Sequence, residues 1–233
     1  MAAAVPSPVR LFHITAIGNL PAIAAAGALA CKNAGRPYVN IAHQGAQGAR
    51  SAKQVPHPHG ATVHDFVPFY FAPRSPMLFT IDRGNVAGCS LKQRDIVHVE
   101  TTVDLAVAGG APFVIYDRNA TLTYATAYTS LTDLDKVSWD LLLEPPCLDG
   151  YCKYFHDVHA NPRYTDRRER RMAEFLVHGS LLVSSMLRIG VIDEAAAHQA
   201  RGMLLTHGVP LAARSSQIGT FWASDHARPT YAG

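Results

Sequence analysis

Long apolar runs are missing from this 233-residue chain. No stretch reaches the roughly 18–20 residues that a membrane helix requires, and the N-terminus has no basic region leading into a hydrophobic signal core. A cytoplasmic protein with no membrane association is the expectation. Cysteine is sparse as well: Cys31, Cys89, Cys147 and Cys152 are irregularly spaced, which excludes a dense disulfide framework and leaves free thiols as the default. Charged residues make up only 17 % of the chain against 48 % hydrophobic, which is the balance of a chain with a sizeable core rather than of a disordered one. The net charge of +3, with twelve histidines beside it, permits nucleic-acid binding without demanding it. No low-complexity linker, internal repeat or shift in composition divides the sequence. One elaborated domain over residues 1–233 is therefore expected, although the length exceeds the usual ~150-residue prior for one domain.

The β-branched and aromatic content of Val9 to Thr15 predicts a strand, with Asn19 and Pro21 opening a short helix through Ala26 that Gly27 ends. A second helix is expected from about Ile41 to Lys53. Gly45 and Gly48 weaken it and suggest close approach to its backbone, and Arg50 lies on its last turn. His57-Pro58-His59-Gly60 reads as a loop, and Pro73 to Pro76 as a turn before a short element from Met77 to Ile81. Strand signals return at Ile96 to Thr101 and Phe113 to Tyr116, with a small helix near Asp104 to Ala108 between them and a turn at Asp117 to Ala120. Residues 144–166 have no clear period and read as a long loop. Beyond it, the second half of the 167–177 segment reads as a strand, Asp193 caps a helix to about Leu205, and an edge strand is expected near Phe221 and Trp222.

The densest stretch is Val67-Pro68-Phe69-Tyr70-Phe71-Ala72-Pro73-Arg74, introduced by His64-Asp65 and followed by Ser75-Pro76-Met77-Leu78. Proline cannot donate to a ladder, so three prolines this close mark a short or bulged strand with a shaped end. Such a strand is either an ordinary buried one entering a turn or a rigid aromatic floor for a planar ligand. Glu174 stands between Ala173 and Phe175 in an apolar strand. On periodicity it either faces solvent or lies at a cavity against a cation, because burying an unpaired carboxylate costs several kcal/mol, roughly. Five arginines, Arg163, Arg167, Arg168, Arg170 and Arg171, precede it. They form either a solvated face offset by Asp166 and Glu169, or a track for phosphates on which Tyr151, Tyr154, Phe155 and Tyr164 offer stacking faces for unpaired bases. His13 alone reads as a satisfied core histidine.

Four blocks taken together resemble the DarT family of DNA ADP-ribosyltransferases. They are Phe12-His13-Ile14-Thr15 with Asn19-Leu20; Ile41-Ala42 through Arg50 to Val55-Pro56; His64 to Leu78; and Ala173-Glu174-Phe175-Leu176-Val177. The resemblance implies an α+β ADP-ribosyltransferase fold, two small mixed or antiparallel sheets around an NAD cleft with flanking helices. NAD+ is then a consumed substrate, no metal is involved, and no Rossmann glycine loop is expected; the sequence contains none. By this resemblance Glu174 and Arg50 are catalytic, while His13, Thr15, Tyr70 and Met77 hold the NAD. Arg163, Arg167, Arg168 and Tyr154, with Asn119 near the acceptor, contact single-stranded DNA. The implied biology is a bacterial toxin whose DNA adducts are removed by a macrodomain-type or other antitoxin partner.

Departures from the family's pattern bear on the acceptor. Arg171-Met172 stands where many relatives have Lys or Arg followed by Gln, Phe66 replaces a frequent Tyr, and His43 and Asn119 fall where some relatives have an aromatic and a histidine. Thymidine is the expected base, with guanosine, or an RNA or protein acceptor on the same fold, as the alternatives. Two readings of other classes stand beside it. Cys147, Cys152, His156 and His159, or His57, His59 and His64, make a zinc cluster whose spacing matches no established template. An NAD-free single-strand-binding module is the third, and it predicts that loss of Glu174 changes nothing.

Overall fold

The computed structural model describes residues 3–42, 44–144 and 157–215. The β-branched and aromatic stretch at the start of the chain becomes β1 (Arg10–Ala16), and Gly27, at φ 66°, closes α1 (Leu20–Ala26) in the left-handed conformation that glycine adopts without strain. Asn19 occupies the cap position but makes no side-chain cap bond there. Next come β2 (Ala28–Ala30), α2 (Gln44–Ala52), β3 (Phe66–Tyr70) and α3 (Pro76–Asp82), whose cap Ser75 accepts from the Leu78 amide at 3.2 Å. Further on are β4 (Ile96–Thr102), α4 (Val103–Val107), β5 (Phe113–Tyr116), β6 (Ala127–Tyr128), α5 (Trp139–Leu142) and α6 (Arg167–Arg170). The chain continues through β7 (Glu174–His178), β8 (Ser180–Leu182), β9 (Arg188–Val191), α7 (Glu194–Leu205) and β10 (Ala213–Ser215).

The two sheets are unequal. Eight strands form one sheet in the order β10-β9-β4-β1-β3-β7-β5-β6, antiparallel except for the β9–β10 pair, and β2 with β8 form the other. Period-2 alternation divides the large sheet into two faces. Leu11, Val67, Phe69, Val97, Val99, Ile115, Phe175 and Val177 pack with Leu20, Ile23, Trp139 and the alanine face of α7 in the main core. The other face carries two smaller clusters. Ile14, Ala16 and Ile96 lie against Leu78 and Ile81 of α3, and Phe66, Val114, Tyr116 and Leu176 lie against Val55 and Val63.

Near its centre the large sheet comes apart. β1 pairs with β4 at seven positions, but with β3 only at Phe12↔Tyr70. Pro68 explains the gap. A strand residue directs its N–H and C=O to the same neighbour, and the Pro68 carbonyl faces β1, where it meets the His13 ring at 2.8 Å. The donor that proline lacks is thus missing on the side where no ladder forms.

Several expectations end differently. The second helix begins at Gln44, and it is polar: no residue from 45 to 52 is fully buried, and Gln47 and Arg50 are its half-buried positions. A Cβ added at Gly48 would meet nothing within 4 Å, so this glycine serves no close approach within the chain. The strand expected at Phe221 and Trp222, and residues 145–156 of the long loop, lie outside the described residues; residues 157–166 contain a 3-10 turn at Pro162–Tyr164.

Candidate active site

Directly opposed residues of antiparallel strands project to the same face. The registers Tyr70↔Glu174 and Tyr116↔Glu174 therefore set Glu174 between two tyrosines. Its carboxylate is 1 % exposed and fully engaged. Arg50 donates to both oxygens at 3.1 and 2.8 Å, and the Ala120 amide donates to Oε1 at 3.1 Å. The cation reading of this glutamate is the one realised, rather than the solvent-facing one. Burial works against the charge on Arg50, but the charge and hydrogen bonds of Glu174 outweigh it, and the guanidinium ends above its ordinary pKa. The two groups meet in a fork geometry that lysine could not reproduce.

Of the expected residues, Tyr70 and His13 feel the charges of this pair, Met77 touches Tyr70, and Thr15 lies two residues along β1 from His13. The Tyr70 hydroxyl points to the Met77 sulfur at 3.6 Å, and burial, with the neighbouring Glu174 charge, pushes its pKa up. His13 fills the split between β1 and β3, edge-on to Phe69. Desolvation lowers its pKa to about 4, helped by Arg50 and opposed by the Pro68 hydrogen bond. The ring is therefore neutral at pH 7. The Pro68 carbonyl can only accept, so Nδ1 carries the proton and Nε2 offers a lone pair. Thr15 is buried and accepts from Asn19 Nδ2 at 2.9 Å, while Asn19 also clasps both backbone groups of Val39 at 2.7 and 3.1 Å. The exposed Tyr38–Val39 stretch is held over β1 by that clasp.

The arginine segment departs from the expected phosphate track. Arg167 is buried, 1 % exposed, with its guanidinium 4.1 Å above the Tyr164 ring; it is a core residue and no surface contact for DNA. Arg171, equally buried, donates to the Leu141 carbonyl. Arg170 pairs with Asp166 at 2.6 Å, and Arg163 reaches Glu144 at 3.4 Å and Asp140 at 3.7 Å, where Glu144 also accepts from Tyr164. These contacts tie the segment before β7 to α5. Only Arg163 and Arg168 of the expected DNA-contacting arginines are exposed. Tyr154 and His43 lie outside the described residues. Asn119 is half-buried, its carbonyl accepting from Thr121 in a turn that aims the Ala120 amide at Glu174.

Among the described residues no three His, Cys, Asp or Glu side chains are grouped to hold a metal, and the Cys147, Cys152 and His156 part of the zinc alternative falls outside them. No helix among them is long and apolar enough to cross a membrane. Three participants were missed on sequence: Tyr116, the Asn19–Val39 clasp and the Ala120 amide. Each depends on pairing register or loop path, which no local pattern encodes.

The fold that carries this clamped carboxylate matches solved structures of DNA ADP-ribosyltransferases. Thermus sp. 2.9 DarT in complex with ADP-ribosylated ssDNA has the same fold at TM-score 0.81 and 29 % identity, over 93 % of this chain and 98 % of that one. The same protein in complex with NAD+ aligns at TM-score 0.75 and 28 % identity, over 91 % and 98 %. A DNA ADP-ribosyl transferase of Thermus sp. (strain 2.9) is 34 % identical over 174 residues, 74 % of this chain and 76 % of the relative. The family model described as "ssDNA thymidine ADP-ribosyltransferase, DarT" matches residues 12–218. The chain belongs to the DarT family.

Proposed function

We propose that this protein transfers ADP-ribose from NAD+ to a base of single-stranded DNA, thymidine in the first instance, with Glu174 and Arg50 as the catalytic pair. The observation that carries the reading is the buried Arg50–Glu174 fork on the row beside Tyr70, at the point where the sheet opens. The chain's residues suit the donor. The neutral His13 Nε2 can accept from a ribose hydroxyl, Thr15 has its own hydroxyl proton to donate, and the Tyr70 face with the Met77 sulfur can line the cationic nicotinamide ring.

Cleavage of the glycosidic bond sends the electron pair to nicotinamide and leaves positive charge on the ribose carbon. A buried carboxylate beside that carbon lowers the barrier in a way that water cannot, because its orientation is already fixed. A ring nitrogen of the base then bonds to the carbon, and its N–H proton passes to Glu174. Arg50 holds the carboxylate before this step and stabilises negative charge on the deprotonating base during it. Thymine suits such a site because it has a ring N–H to lose, whereas cytosine has none. Arg163, Arg168 and Asn119 are the described candidates for contacting the strand. An adduct on a template base obstructs pairing, so a toxin role with an adduct-removing antitoxin of macrodomain type follows as part of the same proposal.

The test is incubation of the protein and its Glu174→Ala variant with NAD+ and single-stranded oligonucleotides that differ in base content, read by intact mass. The expected result is one added ADP-ribose on thymine-containing strands, absent with the variant. An adduct on guanine alone transfers the reading to guanosine, and a folded protein that binds NAD+ yet modifies no DNA overturns it.

A further inference from the structure

We propose that Arg10 and Arg188 form a phosphate subsite for the acceptor strand, at the far end of the row that carries Glu174; the proposal rests on the DNA-acceptor reading. The registers Glu174↔Tyr70, Tyr70↔Phe12, Phe12↔Glu100 and Glu100↔Arg188 run in one line across β7, β3, β1, β4 and β9. Opposed side chains share a face, so Glu100 and Arg188 lie on the same side of the sheet as the catalytic pair. Three strand spacings separate Glu100 from Glu174, about 14 Å, which a single strand covers within a few nucleotides.

Glu100 is buried, its side chain 4 % exposed, and each of its oxygens takes a different arginine. Arg10 Nε donates to Oε1 at 2.6 Å and Arg188 Nε to Oε2 at 2.6 Å. Two guanidiniums thus share one carboxylate, leaving one net positive charge. The two arginine side chains remain 45 % and 34 % exposed. If cross-strand clamping were the only role, one arginine would neutralise the glutamate. The second has donors to spare, and Glu100 fixes both forks in place. They border a surface cavity of about 420 Å³, with Pro8 and the exposed Leu187 as its apolar wall. Arg10 also stacks on Phe12, 5.3 Å from the ring centroid. Preset guanidiniums beside an apolar wall match a nucleotide, with phosphate on the charges and the base on the wall.

Fluorescence anisotropy of a labelled single-stranded oligonucleotide across a salt series tests the subsite without relying on catalysis. Each lost phosphate contact lowers the slope of log affinity against log salt by about 0.7 for single strands. Arg188→Gln is expected to lower it by about that amount, and an oligonucleotide trimmed to the modified base and its immediate neighbours is expected not to distinguish variant from wild type. NAD+ also carries phosphates, and its Kd is expected to stay unchanged in Arg188→Gln. Equal slopes in wild type and Arg188→Gln, or a shifted NAD+ Kd, overturn the subsite. Adduct formation scored on the same strands separates the two proposals. Adducts with unchanged slopes sink the subsite alone, whereas the expected slopes without any adduct sink the transfer reading and leave the subsite standing.

Discussion

Replacing Arg50 by alanine removes one half of a buried ion pair and leaves the other half in place. Breaking such a pair from one side costs about 3–5 kcal/mol, because the surviving charge stays buried without its counterion. The lower end applies here. The Arg50 side chain is 15 % exposed, so its release to water recovers some solvation, and the Ala120 amide still serves one oxygen of Glu174. A further loss comes from α2, which buries no apolar side chain from 45 to 52 and is held over the sheet by this fork and by the hydrogen bond from Lys32 to Gln47. A deficit of about 3 kcal/mol corresponds to roughly 6–12 °C in Tm for a chain of this size. Glu174→Gln costs less, since Arg50 can turn partly to solvent. The double variant Arg50→Ala/Glu174→Gln, with no buried charge left, is expected to be more stable than Arg50→Ala alone. Thermal and urea unfolding of the four proteins complete a double-mutant cycle. Simple additivity, or an Arg50→Ala variant within about 1 kcal/mol of wild type, would refute the coupling on which the site's electrostatics depend.

Two further outcomes follow from other buried groups. His98 is held with Nε2 3.0 Å from the Pro73 carbonyl, and its pKa is lowered to about 4 by desolvation, with His13 adding slightly, against the hydrogen bond and Glu100, which raise it. Below pH 6.5 the unfolded chain takes up a proton that the folded one refuses until about pH 4. Its contribution therefore makes stability fall as pH falls through that window, by up to about 1.4 kcal/mol per pH unit. His98→Gln, compared with wild type by urea unfolding at several pH values, is expected to flatten the dependence by that amount; parallel curves would contradict the buried neutral assignment. The two neighbouring arginines should separate cleanly. Arg167→Ala is expected to lower Tm by several degrees through lost packing on Tyr164 without changing the salt dependence of DNA binding. Arg168→Ala, at an exposed position, is expected to leave Tm unchanged and lower the slope by about 0.7; the reverse pattern would return Arg167 to the DNA surface.

Local pattern carried much of this protein. The strand at β1, the helix that Pro21 opens and Gly27 ends, the small helix after β4, the strand around Glu174 and the Asp193-capped α7 all rest on signals within a few residues: β-branched and aromatic content, caps and breakers. That Arg50 and Glu174 belong to one site was legible only through resemblance, and their direct pairing was not read at all, because 124 positions separate the two and no periodicity spans that distance. The short strands β2, β6, β8, β9 and β10, two to four residues each, went unread, since so few residues establish no period of their own and take their form from the neighbour they pair with. The arginine run shows the sharper limit. Its composition speaks equally for a solvated face, a phosphate track or internal ties, and only the placement of Tyr164, Glu144, Asp166 and Leu141 decides that most of it turns inward.

The sequence by itself determined which residue types are available and where the backbone can and cannot donate; Pro68 in a central strand already required a gap in a ladder. Tertiary structure decided what that gap is for. It placed β1 on the open side of Pro68, turned His13 into the split, and set Glu174, Tyr70, Tyr116, Phe12, Glu100 and Arg188 in one row, because register is a relation between strands rather than a property of any one of them.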